Sequence, residues 1–175
     1  MSDDNDSNTG KTIGGAAIGA TIGSVAGPAG TVAGGVIGAI LAAGDEDYDH
    51  NVLVTETFDT ATNATPSDTS VYVDHVEPPG AAGNPDGELD GVSHVPDVLV
   101  QGFAAPNTII EVETPTAIAN DPDHILDQLD DFRVPSYQRI LVVPEPVVED
   151  ATRFVEETVE GPVDVATPDS VSKYL

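Results

Sequence analysis

The chain has 175 residues, with 31 Asp and Glu, five Lys and Arg, and no cysteine. That length accommodates one domain of ordinary size with an appendage. The absence of cysteine excludes thiolate metal sites, redox motifs and disulfides. An aromatic content of 5% leaves no visible platform for stacking nucleic-acid bases.

The formal net charge of −26 is spread along the chain outside residues 12–44 rather than gathered in one tail, and the only lysines are Lys11 and Lys173. Such self-repulsion would strain a compact domain in dilute buffer. In molar salt the Debye length falls to about 3 Å, and the repulsion largely vanishes. The pattern resembles intracellular proteins of extreme halophiles, especially haloarchaea. The acidic composition therefore indicates a high-salt solvent rather than a particular binding partner.

The first 44 residues divide into an acidic tail and an uncharged segment. Residues 1–11 are predicted to be disordered, and their polar start argues against a secretory signal peptide. Residues 12–44 contain no charged side chain, and their glycines recur mostly at four-residue spacing. This spacing aligns them in one stripe along a helix, where a second helix can approach closely. The stripe consists of Gly15, Gly19, Gly23, Gly27, Gly30, Gly34 and Gly38.

Pro28 shifts the phase of this stripe, which favours a hairpin of two short helices over one straight span. Each half has only about 15 residues, whereas a full membrane crossing needs about 20. The segment resembles the glycine zippers of bacterial and archaeal membrane-associated proteins. Two interpretations remain open: association with a membrane, or self-association into a homo-oligomer. A membrane hairpin would keep the rest of the chain on the cytoplasmic face.

Residues 45–51 form an acidic linker, and residues 52–175 are predicted to form an α/β domain that folds without the glycine segment at high salt. Alternating apolar stretches predict strands, and a 3.6-residue period predicts helices. The predicted strands are 51–58, 70–76, 96–101, 108–114, 137–144 and 162–168, and the predicted helices are 121–132 and 147–159. The fold class is thus a small mixed sheet flanked by helices, preceded by a glycine-rich helical hairpin.

Three carboxylates interrupt the apolar strands of the stretch PDVLVQGFAAPNTIIEVET. Because alternate side chains share one face of a strand, Glu111 and Glu113 point the same way as Ile109. If Asp97 begins the neighbouring strand, the three carboxylates converge at one end of the sheet. Unpaired, such a cluster would take up a proton, whereas a hard cation such as Mg²⁺ would remove the cost. A solvated face of an edge strand is the alternative.

The order of PDVLV, a turn, TIIEVET, a helix with DQLDDF and a strand RILVVP resembles the PD-(D/E)xK nuclease superfamily, whose fold is restriction-endonuclease-like. The resemblance covers about residues 70–165. It implies that Asp97 and Glu111 are ligands of Mg²⁺. Glu113 takes the position of the usual lysine, as a catalytic base or a further ligand. Gln128 and Phe132 match the glutamine and aromatic residue, four apart, on the next helix.

No lysine lies anywhere in residues 12–172, which departs from the family pattern. Arg133 or Arg139 could supply the missing positive charge. His94 lies two residues before the Pro-Asp pair, and it is either a residue near the metal or a solvated loop histidine. The other three, His50, His75 and His124, have no partner at ligand spacing.

Two functions follow from the sequence. The first is a metal-dependent nuclease-like domain, active or degenerate, tethered by the glycine segment and acting on nucleic acid. The second is a non-enzymatic membrane-associated or assembly protein, such as a structural protein of a haloarchaeal virus or vesicle. Nucleic-acid binding would have to tolerate salt, because counterion release loses its driving force as salt rises.

Overall fold

A computed structural model describes residues 28–43, 48–74, 89, 91–103 and 106–175, with the backbone alone described at 28–34 and 43. The helices are α1 (Pro28–Ala43), α2 (His50–Ala64), α3 (Pro115–Asn120), α4 (Pro122–Asp131) and α5 (Val148–Thr158). The strands are β1 (Ser70–Val73), β2 (Val98–Gln101), β3 (Asn107–Val112), β4 (Tyr137–Val142) and β5 (Asp164–Ala166). Single 3-10 turns cover Glu145–Val147 and Val171–Tyr174.

The five strands form one mixed sheet in the order β1-β2-β3-β4-β5. Strands β1, β2 and β3 are an antiparallel meander, whereas β3, β4 and β5 run parallel. Helices α3 and α4 lie in the crossover from β3 to β4, and α5 lies in the crossover from β4 to β5. The predicted α/β class, a mixed sheet flanked by helices, is confirmed at this level.

Apolar side chains cover the sheet on both faces, as the alternation of the strands requires. On one face, helix α2 packs on inward residues of the strands, among them Val98, Ile110 and Ile140. On the other face, α4 and α5 pack on Leu141 and Val143, and Phe132 packs on Leu99 and Ile109. Ile109 and Ile110 therefore face opposite sides, as predicted.

Helix α1 belongs to the core of the domain. It packs against α3 and α5, and Val36, Ile37 and Ile40 are buried with residues of those helices. The helix begins at Pro28, a favourable residue for a first turn. Of the predicted stripe, Gly30, Gly34 and Gly38 lie on α1, and Gly38 is buried. The first half of the predicted hairpin, with Gly15, Gly19, Gly23 and Gly27, lies outside the described residues.

In the part of the chain that the structure describes, no helix is both long enough and apolar enough to cross a membrane.

The prediction of a strand at 51–58 is wrong, because these residues form helix α2. Asp49 caps the helix by accepting hydrogen bonds from the amides of Asn51 and Val52. The buried residues of α2 are spaced as one helical face: Leu53, Val54, Thr57, Phe58 and Ala61. The alternation of valines in NVLVTETF concealed this longer 3.6-residue period. The acidic stretch 45–51 thus contains the cap and the first residues of a helix.

The other predicted elements are present with shorter bounds. Asp121 was predicted near the start of a helix, and it caps α4 by accepting from the amide of His124 at 3.3 Å. Strand β4 is parallel to its neighbour β3. Helix α3 was missed. It is a six-residue helix with Thr114 as its cap and Pro115 in its first turn.

We predict that Ile40→Ala lowers the free energy of unfolding by about 2–5 kcal/mol, because it leaves a cavity where a fully buried side chain joins α1 to the domain. Denaturant unfolding in multimolar KCl measures the change. Val52→Ala is the matched control, since Val52 is 52% exposed on α2. Equal effects of the two substitutions would show that α1 does not contribute to the folded core.

Candidate functional site

Asp97 lies immediately before β2 and is 5% exposed. Its Oδ2 accepts a hydrogen bond of 2.8 Å from the backbone amide of Val112, the last residue of β3. Its own carbonyl accepts from the amide of Asp74, just after β1. Asp97 therefore ties together three strands at the end of the sheet where β3 finishes.

His50, in the first turn of α2, brings a positive charge to this carboxylate. Its Nε2 lies 3.3 Å from Asp97 Oδ2, and the side chain is 37% exposed. The hydrogen bond with Asp97 raises the pKa of His50 to about 9. Burial opposes this rise, and the charges of Asp97 and Glu113 add to it. The raised pKa favours the positively charged form of His50 at neutral pH.

Glu111, on β3, is 3% exposed and faces helix α4. Gln128 of α4 donates from Nε2 to Glu111 Oε1 at 2.5 Å. Burial, followed by the charges of Asp97 and Glu113, raises the pKa of Glu111 well above its ordinary value, while the backbone amide of Asp97 and the side-chain amide of Gln128 oppose the rise. The second oxygen of Glu111 and the amide oxygen of Gln128 are buried without a hydrogen-bond partner.

Glu113 follows β3 and is 7% exposed. Its amide donates to the carbonyl of Val142 at 2.8 Å, which continues the parallel pairing with β4. Burial and then the charge of Asp97 raise the pKa of Glu113 to about 7, while the charge of His50 lowers it. Glu113 therefore exchanges a proton near neutrality.

The structure brings Asp97, Glu111 and Glu113 together at one end of the sheet, as the sequence predicted. The three carboxylates and His50 are called the carboxylate cluster below. Burial is the main cause of the raised pKa values of Glu111 and Glu113, and the negative charge of Asp97 adds to it in both. The orphaned oxygen of Glu111 adds an acceptor with no donor. Protons or a hard cation with oxygen ligands would both satisfy this arrangement.

Across the described residues, no three His, Asp or Glu side chains are arranged as a group that could already hold a metal ion. The carboxylates of the cluster interact electrostatically, but their oxygens do not surround one point. Binding of a cation would therefore need rotation of side chains within the cluster.

The two arginines proposed as substitutes for lysine lie elsewhere. Arg139 is buried on β4 and donates to the carbonyl of Leu129, in the last turn of α4, and to that of Glu160, just after α5. Arg133 is exposed and pairs with Asp130 and Glu160. The prediction that either arginine supplies charge to the carboxylates is therefore wrong. His50 occupies that role.

Phe132 lies one turn beyond Gln128 but does not reach the cluster. Its ring is fully buried against Leu89, Leu99 and Ile109. Its contacts are those of a core residue. Gln128 is the one of the two helix residues that contacts a carboxylate.

His94 is part-buried, and its ring nitrogen Nδ1 lies 2.9 Å from Asp131 Oδ2.

The contact of His50 with Asp97 was missed by the sequence analysis. These residues are 47 positions apart, and no local pattern links them. Recognition of α2 as a helix starting at Asp49 would have placed His50 in its first turn, beside the end of the sheet.

Comparisons of the chain with protein-family models, curated proteins and solved structures gave no match.

We predict that Glu113→Gln stabilises the protein relative to wild type at pH 8 by about 3 kcal/mol more than at pH 4. In the folded state the pKa of Glu113 rises from 4.5 to about 7. Each pKa unit by which the folded and unfolded states differ changes the free energy of unfolding by about 1.4 kcal/mol. A raised pKa contributes stability that is complete below pH 4.5 and is lost as pH rises through 7. Glutamine stays neutral throughout.

Denaturant unfolding in multimolar KCl at several pH values measures this difference. Glu157→Gln, an exposed substitution on α5, is the control. A difference between wild type and Glu113→Gln that stays constant from pH 4 to 8 would contradict the assigned burial of Glu113.

We predict that His50→Gln raises the pKa of Glu113 above 7, because the favourable positive charge is removed. Carboxyl ¹³C NMR titration of Glu113 measures the value directly. His124→Gln serves as the control, since His124 is exposed on α4. A Glu113 pKa that is unchanged or lowered by His50→Gln would exclude His50 as the local cation.

Proposed function

We propose that the domain is a metal-dependent, nuclease-like domain of the restriction-endonuclease-like fold, acting on phosphodiester bonds. The observation that carries the proposal is the carboxylate cluster, in which Glu111 is buried with an oxygen that has no donor. The element order supports the resemblance on which the proposal rests: a helix, three antiparallel strands, helices, a parallel strand, a helix and a strand. Asp97 and Glu111, the two carboxylates to which the resemblance assigns the metal, lie at the same end of the sheet.

Asp97 and Glu111 are the residues that would hold Mg²⁺, and Glu113 would serve as a catalytic base or as a further ligand. Their carboxylate oxygens are the donors that this ion prefers. When bound, the cation would supply Lewis-acid activation of water and stabilisation of charge on the phosphate. Rotation of the side chains would be part of binding, since the present arrangement does not enclose an ion.

The protein's own residues have separate roles in this proposal. Glu113 has a pKa of about 7, close to the best value for a general base at neutral pH. Gln128 holds one oxygen of Glu111 and thereby fixes its carboxylate. His50 holds Asp97 from α2 and supplies the positive charge that the absent lysine would have supplied.

Nucleic acid is the proposed substrate class, and the acidic surface restricts how it could bind. A cavity of about 330 Å³ lies at the same end of the sheet, past β4 and β5, and its lining includes Glu56, Glu145 and Asp169. These carboxylates repel phosphate unless salt or cations screen them. Affinity would therefore come from shape, hydrogen bonds and bridging cations rather than from counterion release.

The glycine segment is proposed to tether this domain, either to the cytoplasmic face of a membrane in a halophile or to a second copy of the chain. Support comes from the uncharged sequence of residues 12–44 and from the helix that begins at Pro28. Since α1 packs into the domain, the proposed hairpin would hold its second half against α3 and α5. This makes the tether rigid at its domain end.

We predict that the full chain cleaves DNA or RNA in multimolar KCl only when Mg²⁺ or Mn²⁺ is added. Asp97→Asn and Glu111→Gln are each expected to reduce the rate by at least about 100-fold, because each removes a proposed ligand. Matched controls are Asp127→Asn and Glu157→Gln, both at exposed positions. Gel analysis of labelled substrate gives the rate, and circular dichroism checks the fold of each variant.

Mn²⁺ binding can be measured separately from cleavage, by the paramagnetic broadening of NMR signals near the bound ion. This measurement distinguishes a cluster that binds the metal but does not cleave nucleic acid from a cluster that does not bind the metal. Binding that depends on Asp97 and Glu111 without cleavage would favour the degenerate, non-enzymatic alternative. Glu113→Lys then tests whether restoring the family lysine restores cleavage. Absence of site-dependent binding and of cleavage would contradict the proposal.

A further inference from the structure

Two histidines that do not belong to the carboxylate cluster have their rings close together. His94, in the loop before β2, and His124, in the first turn of α4, have ring centres 5.8 Å apart with planes inclined at 70°. The ring of His94 also contacts Phe132 edge-on, with a centroid distance of 6.4 Å. His94 is 32% exposed and His124 is exposed, so solutes can reach the pair.

Asp131 fixes the orientation of the His94 ring. Its Oδ2 accepts from the amides of Ser93 and His94 at 2.7 and 2.9 Å, and from His94 Nδ1 at 2.9 Å. A carboxylate only accepts, so Nδ1 carries the hydrogen and Nε2 is the nitrogen left for another partner. This carboxylate–histidine arrangement is the one that orients metal-binding imidazoles in proteins.

The spacing of the two rings fits one metal ion. A Zn–N bond of about 2.0–2.1 Å places an imidazole centre about 3 Å from the ion, so two tetrahedral imidazole ligands have centres roughly 5 Å apart. The observed 5.8 Å differs from this by less than 1 Å, and binding of a shared ion would require the exposed His124 side chain to rotate. Imidazole nitrogen selects Zn²⁺, Ni²⁺ or Cu²⁺ over Mg²⁺.

We propose that His94 and His124 bind one divalent transition-metal ion of the Zn²⁺, Ni²⁺ and Cu²⁺ class, with Asp131 as the orienting carboxylate. Two protein ligands leave the remaining coordination positions to water or to a ligand from outside the chain. The ion would join the loop before Asp97 to helix α4. The proposal does not depend on the nuclease-like function.

Isothermal titration of the full chain with ZnCl₂, in multimolar KCl and excess Mg²⁺, tests this site. Mg²⁺ occupies oxygen-rich surface sites and leaves imidazoles free. We expect one Zn²⁺ per chain, with affinity reduced at least about tenfold by His94→Ala or His124→Ala and by about 10–100-fold by Asp131→Asn. Imidazole ¹⁵N signals of both histidines should shift together on addition of Zn²⁺.

His124→Ala is the decisive variant, because its exposed ring can be removed without disturbing the hydrogen bonds of His94 to Asp131. His50→Ala and Glu111→Gln are the controls, and unchanged Zn²⁺ affinity in both supports the histidine pair. The proposal is overturned if His124→Ala keeps full affinity, if the two controls lose affinity instead, or if the wild-type chain does not bind Zn²⁺.

Discussion

The hydrogen bond from the Val112 amide to the Asp97 carboxylate joins the beginning of β2 to the end of β3. The same carboxylate oxygen contacts His50 of α2, so one buried side chain links the sheet to the helix on its first face. Glu111 extends this link to the second face through Gln128 of α4. The end of the sheet is thus held by polar groups, in a region where burial makes every unmatched charge costly.

That constraint explains the unusual electrostatics of the cluster. A chain with a net charge of −26 can leave its acidic side chains in solvent, yet three carboxylates are buried here. Burial and mutual repulsion raise the pKa values of Glu111 and Glu113, and His50 balances only part of the charge. Core packing alone gives no reason for this arrangement, since apolar residues would be stable at these positions. The raised pKa values of Glu111 and Glu113 are among the features on which the proposed cation site rests.

The sequence predicted most of the sheet and the meeting of its carboxylates, because period-two alternation in short strands determines both strand position and the face of each residue. It failed at NVLVTETF, where a local alternation of valines resembled a strand although Leu53, Val54, Phe58 and Ala61 form a helical face. Because of that error, the contact of His50 with Asp97 was also missed. The assignment of Arg139 failed for a different reason: its partners are backbone carbonyls of Leu129 and Glu160, and carbonyl partners leave no signature in the sequence. Long-range pairs depend on how helices dock on the sheet.

The central claim is that the carboxylate cluster is a cation site built from Asp97 and Glu111. A crystal structure of the full chain grown with MnCl₂ in multimolar KCl tests it most directly, through an anomalous difference map at a wavelength where manganese scatters strongly. The account predicts a peak within coordination distance of carboxylate oxygens of both Asp97 and Glu111, with Glu111 rotated to use its orphaned oxygen. A map without a peak at the cluster, with Gln128 still bound to Glu111 and His50 still beside Asp97, would contradict it.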